Sequence, residues 1–275
     1  MNNPADNLVS IIIPAFNAEN FLDAAIQSAI AQTYKNIEIL IINDGSIDST
    51  EKIINTWRLK DPRIKYFRHA ANKGLPAARN TGLSNAAGSV IALLDSDDVW
   101  EPQKLEAQMS KLQEADIVYA NARLIDERGR DLGGNFWDSV HAAPQRGTNR
   151  IRDLFKKDFI VPASSVVFRK SIIQKVGLFD ERLRSVEDYD FWLRAIYQNS
   201  RLDFVDDRLL AYRLNQNQMS EHAVRMEYWR IFVLSKFVCQ HPGFALQHPI
   251  LLSSRIGKRI LAFIYKLIFK NGRQN

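Results

Sequence analysis

Within the first 120 residues, short runs rich in β-branched side chains alternate with windows whose apolar positions recur at helical spacing, and that alternation admits few folds. Residues 9–14, 37–43, 64–68 and 89–94 read as strands, with 21–32, 49–60 and 75–86 as the helices between them. The strands are apolar on both faces, as helices covering each side of a sheet require. The expected architecture is α/β, a doubly wound and mostly parallel sheet with helices on both faces. Such a sheet binds ligands beyond the carboxyl ends of its strands. Polar residues collect at those ends: Pro14-Ala15-Phe16-Asn17 after the first, Asp44-Gly45-Ser46 after the second and Asp95-Ser96-Asp97-Asp98 after the fourth.

The run Val90-Ile91-Ala92-Leu93-Leu94 delivers three carboxylates to one point. Carboxylate oxygens suit Mg²⁺ or Mn²⁺, and Mg²⁺ is commonly held by one or two protein carboxylates while substrate phosphates and water complete its shell. A nucleotide diphosphate carried on a metal is the ligand this chemistry favours. The same residues also suit a strand-to-helix turn in which Asp98 or a neighbour caps a helix starting near Pro102. The segment alone leaves both readings open.

With 275 residues and 46% hydrophobic content, the chain is read as one core domain with appendages. Its single cysteine, Cys239, excludes an intramolecular disulfide framework, fits a reducing compartment and is expected as a small buried hydrophobe. Residues 1–7 are polar, without the charged start and apolar run of a signal peptide. A net charge of +6 raises the possibility of nucleic-acid binding, but basic residues gather at the C-terminus as Arg255, Lys258, Arg259, Lys266, Lys270 and Arg273. At about 100° per residue, Ile256, Ile260, Phe263, Ile264, Leu267 and Ile268 fall on one side of a helix, and Lys258, Arg259, Lys266 and Lys270 on the other. The uncharged run 260–265 is far short of the ~20 residues that span a bilayer. Residues 251–275 therefore read as a basic amphipathic segment lying on a membrane surface, with packing on the body or in a homodimer as the alternative. No recognition motif supports nucleic acid.

Beyond residue 120 the alternation loosens. Residues 126–130 read as a turn between short strands, 133–147 as a long loop over the site, 163–169 as a strand, 170–176 as a short helix, 188–198 as a stronger helix and 219–238 as a helical window.

Four segments carry a family resemblance: Val9-Ser10-Ile11-Ile12-Ile13-Pro14-Ala15-Phe16-Asn17, Asn43-Asp44-Gly45-Ser46-Ile47-Asp48-Ser49-Thr50, Asn72-Lys73-Gly74-Leu75-Pro76-Ala77-Ala78-Arg79-Asn80-Thr81-Gly82 and Leu94-Asp95-Ser96-Asp97-Asp98. In order and spacing they resemble family 2 of the inverting glycosyltransferases, which have the GT-A fold. The match covers about residues 8–110 and continues more weakly to about 220. It implies a GT-A domain over 1–220, with a nucleotide-binding half at about 8–120 and an acceptor half at about 121–220, followed by a C-terminal helical region at 221–275. It also implies that Phe16 packs on the nucleobase, Asp44 accepts from a base N–H, Arg79 lies beside the diphosphate, and Asp95 meets the ribose or the metal region. Asp97 matches the aspartate that ligates Mn²⁺ or Mg²⁺, Asp98 is a further candidate ligand, and Pro14, Asn17 and Ser96 join the nucleotide-sugar site. Each role suits its side chain: a ring offers a stacking face, an ionised carboxylate only accepts, and guanidinium fits phosphate. Plainer alternatives are a core Phe16, a simple turn at Asp44-Gly45 and a surface Arg79.

Ser185-Val186-Glu187-Asp188-Tyr189-Asp190 resembles the family's acid-Asp pair at a helix start, which makes Asp188 the general base. Acidic residues also favour a helix N-terminus for the helix's own sake. Two features depart from the family. Tyr212-Arg213-Leu214 is followed by Asn215 where members often carry His, so Asn215 and the later His222 are further candidates for the metal shell. The Gln-x-x-Arg-Trp signature of processive synthases is missing, which implies addition of a single sugar.

The expected activity is transfer from a nucleoside diphosphate sugar, a UDP-sugar by resemblance, to a hydroxyl of a glycan or lipid-linked saccharide. Cell-surface polysaccharide assembly at the cytoplasmic, inner face of the plasma membrane fits this. A sugar-1-phosphate nucleotidyltransferase would need a Gly-rich loop after its first strand, which Pro14-Ala15-Phe16-Asn17 does not supply. A non-catalytic glycan-binding scaffold on the same fold is disfavoured by Asp97 and Asp188.

Overall fold

A computed structural model describes residues 7–139, 144–148, 150–215 and 223–253. The first half follows the expected alternation: β1 (Val9–Ala15), α1 (Leu22–Ile30), β2 (Ile37–Asn43), α2 (Thr50–Lys60), β3 (Ile64–Arg68), α3 (Leu75–Asn85) and β4 (Val90–Leu93). Every residue of β1, β2 and β4 is buried, as strands covered on both faces must be. The chain then forms β5 (Val99–Trp100), α4 (Lys104–Lys111), β6 (Ile117–Ile125), α5 (Phe136–Ser139), α6 (Ile151–Lys156), a 3₁₀ turn (Ala163–Ser165), β7 (Val167–Arg169), α7 (Ser171–Val176), α8 (Glu187–Tyr197), β8 (Leu202–Arg213), α9 (Ala223–Gln240) and α10 (Pro242–Gln247).

All eight strands join one sheet in the order β3-β2-β1-β4-β7-β6-β8-β5. The β3-β2-β1-β4 part is parallel, as is β6-β8, whereas β7 runs antiparallel to both its neighbours and β5 antiparallel to β8. Winding reverses at β1, which has β2 on one side and β4 on the other. Right-handed crossovers then place α1 and α2 on one face and α3 on the opposite one. Gly82 permits α3 to lie close on the sheet, because a Cβ there would sit 2.5 Å from Ile12 Cγ2.

The reversal at β1 opens a crevice. The β1–β4 register runs from Val9↔Val90 to Ile12↔Leu93, and the last ladder bond is donated by Leu94 N–H to Ile12 O at 3.0 Å. The next donor along a parallel ladder would be residue 14, and Pro14 has no N–H. Strands β1 and β4 can therefore part at their carboxyl ends without stranding a donor.

The second half departs from the sequence expectation in several places. Residues 202–213, to which the sequence pattern assigns no element, form the longest strand of the sheet, with register shifts against β6 at Ala120/Asn121 and Asn121/Ala122. The segment 163–169 is a 3₁₀ turn before a short strand, and β6 is one continuous strand ahead of the 126–130 turn. In the described part of 133–147, Phe136 and Trp137 are buried against Tyr212, Tyr119 and Phe204, so this segment is anchored in the core rather than laid over the site as a free loop. Helix α8 is buried almost all round, its charged Glu187 and Asp190 included, and packs against Phe168 and Phe179, with the Phe179 and Phe191 rings stacked at 4.6 Å. Cys239 is exposed, not buried, because it lies on the outer side of α9 while Val233, Leu234 and Phe237 face inward.

Candidate functional site

Three polar groups sit at the carboxyl edge of the parallel strands. The first is built on Asp44, immediately after β2 and only 3% exposed. Its Oδ1 accepts the Lys73 N–H at 2.9 Å, its Oδ2 accepts the Gly74 N–H at 2.8 Å, and His69 Nδ1 lies 2.6 Å from Oδ1. Gly45 makes this possible. Its φ of +74° lies in the left-handed region, and a Cβ there would fall 2.6 Å from the Ala71 carbonyl carbon. Asn17, also left-handed with φ 46°, ties the loops after β1 and β2 together: its N–H donates to Ser46 Oγ at 3.0 Å and its Oδ1 accepts the Ile47 N–H at 3.0 Å. Phe16 is 47% exposed beside these loops, which excludes the core reading, and Pro14 is buried in β1.

The second group is the acidic turn after β4. Asp98 N–H donates to Asp95 O at 3.2 Å, and Asp95 N–H to Ser164 Oγ at 3.0 Å. Asp95, Ser96 and Asp97 are half-buried, whereas Asp98 is 1% exposed. Arg213 at the end of β8 holds the turn: its N–H donates to Asp98 Oδ1 at 3.0 Å and its Nε to the Asp97 carbonyl at 2.7 Å. Burial, reinforced by the Asp97 and Asp95 charges, holds the Asp98 carboxyl well above the ordinary carboxylate range. Asp98 thus braces the turn from inside, away from solvent. Asn215 donates Nδ2–H to Asp97 Oδ2 at 2.9 Å, which directs its amide nitrogen at the aspartate where a metal ligand would present the oxygen. His222 and most of the 251–275 segment lie outside the described residues.

The third group opens α8. Val186 precedes it in the left-handed region at φ 55°, a strained conformation for a β-branched residue. Glu187 is 3% exposed and Asp188 half-buried, with Oδ1 of Asp188 accepting the Tyr189 N–H at 2.8 Å. Burial raises both carboxyls, and the Arg79 guanidinium opposes it in each case.

Arg79 joins the second and third groups. It is 1% exposed, with Nη1 at 2.6 Å from Glu187 Oε1 and Nη2 at 2.7 Å from Asp95 Oδ1. This placement excludes the surface alternative: the side chain is enclosed, and carboxylates engage both terminal nitrogens. The unforeseen members of the site are Arg213, His69 and Ser164. Arg213 belongs to the Tyr-Arg pair singled out in the sequence, but nothing local to it indicates a bond to a turn 115 residues earlier.

Among the described residues no group of three or more His, Cys, Asp or Glu side chains is disposed to enclose a metal by itself. A Mg²⁺- or Mn²⁺-nucleotide needs less than a full cage: one or two carboxylates suffice when phosphates and water supply the remaining ligands. The half-buried Asp95 and Asp97 fit that demand. A separate surface pocket, bordered by Asn121, Asp138 and Asp206, contains none of these residues.

A parallel half and a mixed half, sharing an acidic edge, define the GT-A class of glycosyltransferases. Residues 10–177 match the family described as Glycosyl transferase family 2. The chain is 33% identical over 266 residues to WfgD of Escherichia coli, a UDP-Glc:α-D-GlcNAc-diphosphoundecaprenol β-1,3-glucosyltransferase, with 95% of this chain and 98% of that protein covered. It is 34% identical over 221 residues to an uncharacterised glycosyltransferase of Rickettsia prowazekii, covering 79% of this chain and 67% of that one. Among solved structures, S. aureus TarS 1-349 in complex with UDP-GlcNAc aligns with a TM-score of 0.64 at 18% identity, over 94% of this chain and 81% of that one. The mannosyltransferase PcManGT from Pyrobaculum calidifontis, in complex with GDP-Man and Mn²⁺, aligns with a TM-score of 0.64 at 14% identity, over 85% and 65%. The chain belongs to glycosyltransferase family 2.

Proposed function

We propose that this protein is an inverting, non-processive glycosyltransferase that moves one sugar from a UDP-sugar to a hydroxyl of a lipid-linked saccharide at a membrane surface. The observation that carries the reading is the Arg79 bridge, which ties the acidic turn at Asp95 to Glu187, the helix-start neighbour of Asp188, across the two halves of the fold. Asp44 and Phe16 border the end of the edge suited to a nucleobase, one as acceptor and one as an exposed ring. Asp188 takes the proton of the acceptor hydroxyl as that oxygen attacks the anomeric carbon, and a carboxylate raised by burial is a stronger base for the task. Asp97, with Asp95, would hold a divalent metal, which when bound neutralises charge on the leaving diphosphate. Direct displacement inverts the anomeric carbon with no covalent intermediate. The lipid-linked acceptor is supported by the activity of WfgD, which the chain matches almost end to end.

The test is a donor panel with purified protein, measuring thermal shift and nucleotide release with and without Mn²⁺. A UDP-sugar is expected to stabilise the protein in a metal-dependent way. Asp188→Asn should keep donor binding and lose transfer by about 100-fold or more, while Asp97→Asn should weaken metal-dependent binding. No stabilisation by any donor under any metal refutes the transferase reading, and full turnover by Asp188→Asn removes it as the base.

A further inference from the structure

Asp44 accepts from three partners, and one of them, His69, has no part in the reaction described above. Both backbone amides of the 73–74 segment point at Asp44 as an acceptor, so the hydrogen in the 2.6 Å contact with His69 sits on Nδ1. The other ring nitrogen, Nε2, lies 2.8 Å from Thr81 Oγ1 on α3. The His69 N–H donates to Asn43 O at 2.9 Å, and the residue is 7% exposed, so ring and backbone are both held. The tight seat of Gly45 against Ala71 and Asn72 keeps the amide donors in place from the other side.

A carboxylate offers about four acceptor positions, two on each oxygen. Lys73 N–H and His69 Nδ1–H fill those of Oδ1, and Gly74 N–H takes one on Oδ2. One position is left, on Oδ2. We infer that His69 is a specificity-determining residue: by saturating Oδ1 it leaves Asp44 able to take a single nucleobase N–H, which selects a uracil-type imide over guanine. Guanine presents adjacent N1–H and N2–H groups that pair best with both oxygens of a carboxylate. Cytosine and adenine present a ring-nitrogen lone pair beside their amino group, which a carboxylate repels. The inference rests on the proposed reading that Asp44 faces the nucleobase.

The experiment measures UDP, GDP and CDP binding to the full chain by calorimetry in Mg²⁺. The wild type is expected to favour UDP over GDP by about tenfold or more. His69→Ala removes the ring and so opens Oδ1, and should cut the UDP/GDP ratio about tenfold, mainly by improved GDP binding. His69→Asn, whose amide N–H can occupy the Nδ1 position, should retain the wild-type ratio. His69→Gln, whose N–H reaches toward the Nε2 position, should relax it. The Asn and Gln pair gives the same contrast if the Ala variant does not fold. An unchanged ratio in His69→Ala or His69→Gln, with UDP binding still abolished by Asp44→Ala, overturns the role of His69 alone. UDP binding indifferent to Asp44→Ala overturns the nucleobase reading, and a wild type that binds no nucleotide overturns the transferase reading.

Discussion

Enclosure of Arg79 gives it a second kind of influence on the reaction. Its charge lowers the Asp188 carboxyl against the upward push of burial, so the guanidinium sets the pH above which the base is ready. Replacing it by Gln removes a cation beside a carboxylate. The Asp188 proton is then held to higher pH, and the acid limb of the kcat/KM profile should move upward, with activity recovering more at pH 9 than at pH 6. A profile that falls equally at all pH values would reduce Arg79 to a structural tie. At this scale residue types were legible in the sequence, and their partners were not. Asp44, Asp97 and Asp188 stand at strand or helix ends where local pattern exposes them. Arg79 meets Glu187 across 108 residues of chain, a contact decided by how the two halves close.

Elements with a clean pattern were equally legible: β2 falls on the expected 37–43 because a strand buried on both faces is apolar along most of its length, and β3, a partly exposed edge strand, falls on 64–68 because Tyr66 and Phe67 keep its centre apolar between Lys65 and Arg68. Strand β8 hid itself, since Asp203, Asp206, Asp207 and Arg208 interrupt its pattern where it is exposed and the β6 register shifts. Helix α9 is fixed to α8 by Lys236, whose Nζ lies 2.8 Å from Asp180 Oδ2 and 2.8 Å from Asp190 Oδ1 with the side chain 13% exposed. Lys236→Met leaves Arg182 on Asp180 and Arg194 on Asp190, so the expected loss is about 1–3 kcal/mol, read by urea unfolding at pH 7. Arg182 first, and then Lys236, hold the Asp180 carboxyl below its ordinary value. A depressed carboxylate stabilises above its unfolded pKa of about 3.9 and ceases to as pH falls through its folded value. The gap between wild type and Lys236→Met should therefore narrow in acid. A gap independent of pH would locate the effect in packing of the lysine stem.

For the molecule as a whole, the distribution of charge bears on where it works. The six basic residues Arg255, Lys258, Arg259, Lys266, Lys270 and Arg273 have no acidic neighbour in 254–275, and they equal the whole net charge of +6. Residues 1–253 thus carry as many acids as bases, and any attraction to an anionic surface is concentrated in the last 22 residues. Within the described part, no helix is long and apolar enough to cross a membrane. Each basic residue close to an anionic leaflet contributes about 1 kcal/mol, an interaction that salt screens. Truncation after Ser254 should accordingly abolish co-sedimentation with vesicles rich in acidic phospholipid and leave UDP binding unchanged. The intact chain should release from the same vesicles as salt rises from 0.1 to about 0.5 M, where the screening length drops by about half. Apolar insertion alone would survive that salt, so release separates an electrostatic tether from a buried anchor. Sedimentation that persists after truncation would instead assign the tail to packing on the body or on a second copy of the chain.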